Sequence, residues 1–290
     1  SWFFVHFFNA FFVPLVNCFV LISGYFMVNS KSFSLKKPIS ILVICAFHGV
    51  ISYLIALFAG VELHEGGVLY ALFPYFWGNR WFVETYVILL LIAPFINTLV
   101  DSIARVSYHI LLVVWISLFC FWYSFGLIAP ILDVGYGIIN FITLYLLGAY
   151  IRKYGSESKI LSIRKRYFAL IFIACSFATF VLSYFINPYG YSFITNIIGS
   201  VAAFMFFEKW DIGSNRILNS VSAATFDVYF VHSDFNTSRL FIYYILGARF
   251  VVDSPWMILH VIIVIIAMWV LGLAFYYVRK ALFSLTVDKL

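Results

Sequence analysis

The chain predicts an all-α fold, a polytopic bundle of transmembrane helices, and three observations carry that prediction. Of its 290 residues, 64% are hydrophobic and only 10% charged, with a mean hydropathy of +1.04, far from the balance of a water-soluble domain. Apolar runs of about 18 residues or more, enough to cross a hydrocarbon core of roughly 30 Å, recur along it. These runs are uniformly apolar and lack the alternation of a barrel strand, so the backbone must satisfy its own amides as helix.

Nine spans follow in order. The first, about 8–28, contains Pro14 and ends at the basic loop KSFSLKK, which separates it from 38–59. The third, 81–100, starts after the longest outer connection, residues 60–80, and contains Pro94. Both prolines predict kinks that neighbouring helices accommodate. Spans 108–129 and 135–151 lead into the polar segment RKYGSESKILSIRKR (152–166), and 167–186 ends at the turn NPYG. After 191–208 come 222–246 and 257–280, the former carrying the unusual stretch ATFDVYFVHSDFNTSR. Trp77, Trp81, Tyr189, Tyr191, Trp210, Trp256 and Tyr277 fall near span ends, as an interfacial aromatic belt does.

Charge placement orients the spans. Net charge is +6, but in a membrane chain position matters more than the sum. With KSFSLKK in the cytoplasm, 15 of the 18 Lys and Arg residues fall inside, Arg80 and Arg249 fall outside, and Arg239 lies within a span. Nine helices with the first residue outside and the last inside satisfy the positive-inside rule. Nothing resembles a cleavable signal, and the chain begins at Ser1, so the expectation is a further helix before it. The whole chain, 1–290, is expected to form a single integral membrane domain, since no linker or soluble segment interrupts it.

Cys18, Cys45, Cys120 and Cys175 all lie in apolar runs without metal-like or disulfide-like clustering. Walker, HExxH and G-x-S-x-G signatures are absent. Chemistry therefore concentrates in 222–246, where Asp227, His232, Asp234 and Arg239 share one apolar segment. Each ionisable group at membrane depth costs roughly 2.5–3.5 kcal/mol, so the four should pair or face a wet cavity. On an unbroken helix, His232 and Arg239 nearly superpose, as do Asp227 and Asp234, giving two polar stripes on roughly opposite sides. Alternatively, the helix breaks near Ser233 and Asn236, whose side chains compete for backbone bonds. The expectation is that Asp227 pairs internally while His232, Asp234 and Arg239 border a polar cavity. His232 suits a general base or a positioning group, because imidazole titrates near neutrality. His48 reads equally as a satisfied buried histidine, and Glu84 gains helix-dipole stabilisation whatever its role. His6, His64, His109 and His260 fall at ends or in loops.

Four stretches in order resemble the acyltransferase 3 family of bacterial membrane acyltransferases, and within it the branch that O-acetylates capsular and other surface polysaccharides. They are VNCFVLISGYFMV (16–28), NRWFVETYVILLLIAPFINTLV (79–100), FITLYLLGAYIRKYG (141–155) and ATFDVYFVH (224–232). The resemblance implies ten core helices with a cytoplasmic N-terminus, in accord with the further helix expected from charge. It implies a bacterial plasma-membrane enzyme with a cytoplasmic C-terminus. No bound cofactor is expected; acetyl-CoA or another acyl-CoA serves as co-substrate, and an envelope glycan or lipid-linked saccharide as acceptor. No nucleic-acid partner is expected, and segment 152–166 is a candidate for the CoA phosphates as well as an ordinary topology signal.

Carried over residue by residue, Ser23, Gly24 and Tyr25 shape a close helix contact, and small residues permit such approach. Trp81, Glu84 and Tyr86 become substrate-binding candidates, the aromatic faces suiting sugar rings. Asp234 and Arg239 join them, the latter facing an acidic sugar or the polarised acyl carbonyl. The family's first-helix His has no counterpart before the SGYF stretch, which leaves His232 as the intramembrane base. Asp227 stands where the family usually has glycine. The reading from another class is a secondary transporter or flippase of polar envelope intermediates, whose buried charges would mark a transport path. A third is a catalytically dead relative with a scaffold role.

Overall fold

The computed structural model describes residues 2–77, 80–125, 134–211, 213–251 and 254–286. Among them there are helices and turns but no strand. Six helices are long and apolar enough to cross a membrane: Trp2–Met27, Lys36–Phe58, Trp81–Ser102, Arg105–Ser124, Lys165–Leu182 and Met257–Ser284. The all-α, polytopic expectation therefore holds. The chain forms two compact units, a larger one of residues 2–38 and 84–211 and a smaller one of residues 39–83 and 212–290.

The larger unit is built on α1 (Trp2–Met27), packed against the largely buried α7 (Ile138–Tyr154). The two cross without side-chain spacers. A Cβ on Gly24 would collide with the Tyr145 carbonyl, and one on Gly148 with the Leu21 carbonyl, so each helix supplies the glycine that lets the other's backbone in. The segment LISGY is thus shaped to receive LLGAY. The lower half of α4 (Trp81–Ser102) is tied to the same crossing, because Asn97 Nδ2 donates to the Met27 and Ser30 carbonyls while Asn97 Oδ1 accepts from Tyr145 Oη at 2.8 Å. Helix α5 (Arg105–Ile116) continues through a π-helical turn, Ser117–Phe121, into α6 (Trp122–Ser124); residues 126–129 of the expected span lie outside the described residues. Tyr108 of α5 donates to the Leu146 carbonyl at 2.7 Å. Helices α8 (Lys165–Leu182) and α9 (Ile194–Glu208) pack as a hairpin whose turn is held by Asn196 Nδ2, donating to the Pro188 and Gly190 carbonyls. Helices α7 and α9, at 17 and 15 residues, are shorter than a full span.

One end of this unit gathers the loops expected inside. Lys31 and Lys153 both pair with Asp101, and Arg105 with Glu157, while Lys165 lies over the Trp210 ring. The opposite end carries His6 hydrogen-bonded to Tyr189 at 2.8 Å.

The smaller unit contains α2 (Lys36–Phe58, from Ile39 onward), the short α3 (Gly67–Leu72) and the long α13 (Met257–Thr286). Between the last two in sequence the span expected over 222–246 is not one unbroken helix but follows the alternative, a break near Ser233 and Asn236. Helices α10 (Arg216–Ala223), α11 (Thr225–Ser233) and α12 (Phe235–Ser238) are followed by a π-helical turn, Arg239–Ile245. The main break is at Asp234, which takes an extended conformation and caps α12 by accepting from the Thr237 amide at 3.0 Å. A polar residue with its own backbone bond to offer has outcompeted helical continuity in an apolar run. Helix α11 then packs on α13, where Gly272 has no room for a Cβ against Val228, and Val231 meets Met268 and Phe275.

Candidate functional site

The polar groups of the smaller unit form two clusters on α11, one near its start and one at its end. Asp227, in the first turn, is fully buried and accepts from three donors: Arg279 Nε at 2.7 Å, Arg279 Nη2 at 2.9 Å and His48 Nε2 at 2.8 Å. Asp227 therefore pairs within the fold, as a charge there must. Because a carboxylate only accepts, His48 carries its proton on Nε2, and the ring lies stacked between Phe230 and Phe275. His48 Nδ1 is buried and has no hydrogen-bond partner among the described residues.

Asp234 holds the other end. Arg80 donates from Nη2 to Asp234 at 2.7 Å, and from Nη1 to the Phe230 carbonyl at 3.1 Å and to Ser233 Oγ at 2.7 Å. Ser52, one helical turn beyond His48 on α2, donates to Asp234 and also meets Thr237. Arg80 is completely buried. Its position at the end of the 60–80 connection thus has a structural role: it is the counter-ion of Asp234 and caps the end of α11, where a helix dipole favours positive charge. Asp234 consequently turns inward to an ion pair.

Between these anchors α11 presents His232 on an exposed face. Its Nδ1 lies 3.0 Å from the Val228 carbonyl. A carbonyl oxygen cannot donate, so Nδ1 carries a proton, and Nε2, pointing away from its own helix, is the ring nitrogen that can accept one. The ring stands edge-on to Tyr229 at 5.7 Å. A rigid helix, clamped by buried ion pairs at both ends, thus holds one imidazole with a defined tautomer and an open acceptor nitrogen.

Arg239 lies beyond the break, so helical periodicity no longer relates it to His232. Its Nη2 donates to Glu62 at 2.5 Å, and the guanidinium lies over Phe235. Glu62 belongs to the 60–80 connection, whose His64 amide donates to Asn236 Oδ1 at 3.3 Å and whose His64 ring stacks on Tyr70.

The remaining candidates divide between the units. Trp81 opens α4 in the smaller unit, three residues before Glu84, which belongs to the larger. Glu84 Oε1 is buried with no hydrogen-bond partner among the described residues. Tyr86 bonds Ser23 Oγ at 2.9 Å, joining α4 to the motif Ser23, Gly24, Tyr25; Tyr25 in turn receives a hydrogen bond from Arg152 at 3.3 Å. Sequence reasoning missed Arg80, Arg279, Ser52 and Thr237. The signal for the two arginines was available: Asp227 and Asp234 each demand a cation from another segment, and Arg80, Arg249 and Arg279 stand at the edges of the apolar runs.

A family model described as an acyltransferase domain, that of acyltransferase 3, matches residues 1–277. No curated protein and no solved structure matches the chain.

Proposed function

Since the chain belongs to the acyltransferase 3 family, a family of membrane acyltransferases, we propose that it moves an acyl group, acetyl in the first instance, from acyl-CoA to a hydroxyl of a cell-surface or capsular glycan, with His232 as general base. The observation that carries this reading is the tautomer of His232. Nδ1 is committed to the Val228 carbonyl, so Nε2 is the nitrogen free to accept a proton.

In the reaction the acceptor hydroxyl oxygen attacks the thioester carbonyl carbon as its proton passes to His232 Nε2. The tetrahedral intermediate collapses with cleavage of the carbon–sulfur bond, and the imidazolium returns the proton to the departing thiolate. The ester stays on the sugar. Asp227 and Asp234 take no part in proton transfer on this reading; saturated by Arg279, His48, Arg80 and Ser52, they fix the helix that aims the base. Arg239, released from Glu62 by an incoming anion, is suited to hold an acidic sugar or the polarised acyl carbonyl, and Trp81 to stack on a sugar ring.

The test is transfer of label from radiolabelled acetyl-CoA to envelope glycan in membranes containing the protein. His232→Ala is expected to reduce base-labile label by about 10²–10⁴-fold, the range general-base catalysis contributes, with the protein level unchanged. Undiminished transfer in His232→Ala removes that residue from the chemistry. Solute flux without ester formation overturns the transferase reading altogether.

A further inference from the structure

The cations at the loop end of the larger unit are not equivalent. Lys31, Lys153 and Arg105 are paired with Asp101 and Glu157. Arg164, Lys165 and Arg166 are all exposed, and none of them takes part in an ion pair among the described residues. Three consecutive positive charges at the mouth of a membrane helix are thus left without counter-charge among the described residues.

Two apolar grooves start beside them. One, of about 540 Å³, runs along the open face of α8 and is lined by Ile163, Tyr167, Leu170, Ile171 and Ala174. The other, of about 230 Å³, is lined by residues including Leu161, Phe168, Ile171, Ile197 and Val201. They share Ile171. Arg166 is tied to the first groove directly, since its Nη2 donates to Tyr167 Oη at 3.1 Å and its guanidinium lies over that ring. Arg164 adjoins Ile163 in sequence, and Lys165 leans over Trp210 at the end of the α8–α9 hairpin.

We propose that this surface is a site for one diacyl lipid with an anionic phosphate headgroup, the phosphate held by Arg164, Lys165 and Arg166 and the two chains lying in the grooves that meet at Ile171. Charge complementarity selects the headgroup: a zwitterionic lipid brings its own cation, whereas an anionic one brings a net negative charge to three arginine and lysine charges that have no ion-pair partner among the described residues. The grooves select a lipid over a soluble phosphate, because inorganic phosphate or the phosphates of coenzyme A leave about 770 Å³ of apolar groove unfilled. The inference uses none of the residues that act on the acyl group or the acceptor in the acyl-transfer reading, and it assigns Arg164, Lys165 and Arg166, part of the segment that was a candidate for the CoA phosphates, to a lipid instead.

Native mass spectrometry of the full chain, delipidated in detergent and titrated with phosphatidylglycerol, phosphatidylcholine, inorganic phosphate or coenzyme A, tests it. A one-to-one adduct that depends on Arg164, Lys165 and Arg166 is expected with phosphatidylglycerol and not with the other three. The triple change Arg164→Gln, Lys165→Gln, Arg166→Gln should weaken that adduct roughly a hundredfold. Ala174→Trp, which fills the first groove and leaves every charge in place, should weaken it at least tenfold, while Lys31→Gln, at the same end but outside the grooves, should not. Thermal unfolding of each variant confirms that it is folded. Equal binding of phosphatidylcholine, an adduct with coenzyme A that the triple change abolishes, or equal losses in Lys31→Gln and the triple variant would overturn the proposal, as would an Ala174→Trp variant that folds and retains full affinity.

Discussion

Asp234 accepts from Arg80, from Ser52 and from the Thr237 amide, so one carboxylate ends α11, begins α12 and neutralises a buried guanidinium. Removing it leaves Arg80 uncompensated at 0% exposure, the costly direction for a buried pair, whereas changing both partners removes the orphan as well. Asp234→Ala should therefore lower unfolding stability by about 3–5 kcal/mol. Asp234→Asn, which keeps an oxygen for the cap, should lose less. In a double-mutant cycle with Arg80→Met, measured by denaturant unfolding in detergent, the double variant should be more stable than the two single losses predict. Strict additivity would mean that the pair is not coupled. At this scale the sequence was legible in need but not in partner. A carboxylate in an apolar run announces that it must be paired, and Asp227 is; which cation answers depends on helix packing, and Arg80 and Arg279 had been spent on topology.

Elements separate into those that hydropathy can see and those that it cannot. The apolar stretch 38–59 appears as α2 within two residues at each end, and 257–280 appears as α13, which starts where expected and runs six residues further, to Thr286, because nothing within them competes with the backbone ladder. The stretch 222–246 has the same hydropathic outline yet breaks at Asp234, since an average over a window is blind to a single cap; the polar run around Ser233 and Asn236 marked the break, and the cap itself is Asp234, three residues before Thr237. Glycine spacing carries the converse information. Gly24 and Gly148 are the points where α1 and α7 touch backbone to backbone, so the distant motifs LISGY and LLGAY are two halves of one contact. Gly148→Val drives a branched side chain into the Leu21 carbonyl and should force the helices apart, at a cost of at least about 1–3 kcal/mol, the usual penalty of overpacking. Gly155→Ala, at the end of the same helix and clear of close neighbours, should be nearly neutral. Thermal unfolding followed by fluorescence in detergent ranks the two; equal effects would show that the crossing is not tightly packed.

Across the whole molecule, the rule that places positive loops in the cytoplasm predicts which loops share a side, and the larger unit provides an independent check. Loops assigned inside from charge alone meet through Lys31–Asp101–Lys153 and Arg105–Glu157, while the NPYG turn, assigned outside, meets the far end of α1 through Tyr189 and His6. Helix α8 separates the two ends with 18 residues, or about 27 Å at 1.5 Å per residue, close to the thickness of a hydrocarbon core. Contacts give the pairing of loops but not its sign, and the sign comes from charge: the end holding Arg164, Lys165 and Arg166 should be cytoplasmic. Ser158→Cys and Asn187→Cys place a thiol at each end, against four native cysteines that are buried or partly buried within helices. In intact cells a membrane-impermeant maleimide should label Asn187→Cys and spare Ser158→Cys, and permeabilisation should expose the latter. Labelling of Ser158→Cys alone would invert the orientation and place the cationic lipid site in the outer leaflet. Labelling of both in intact cells would mean that α8 does not cross the bilayer, and the helical hairpin α8–α9 would then have to lie at its surface.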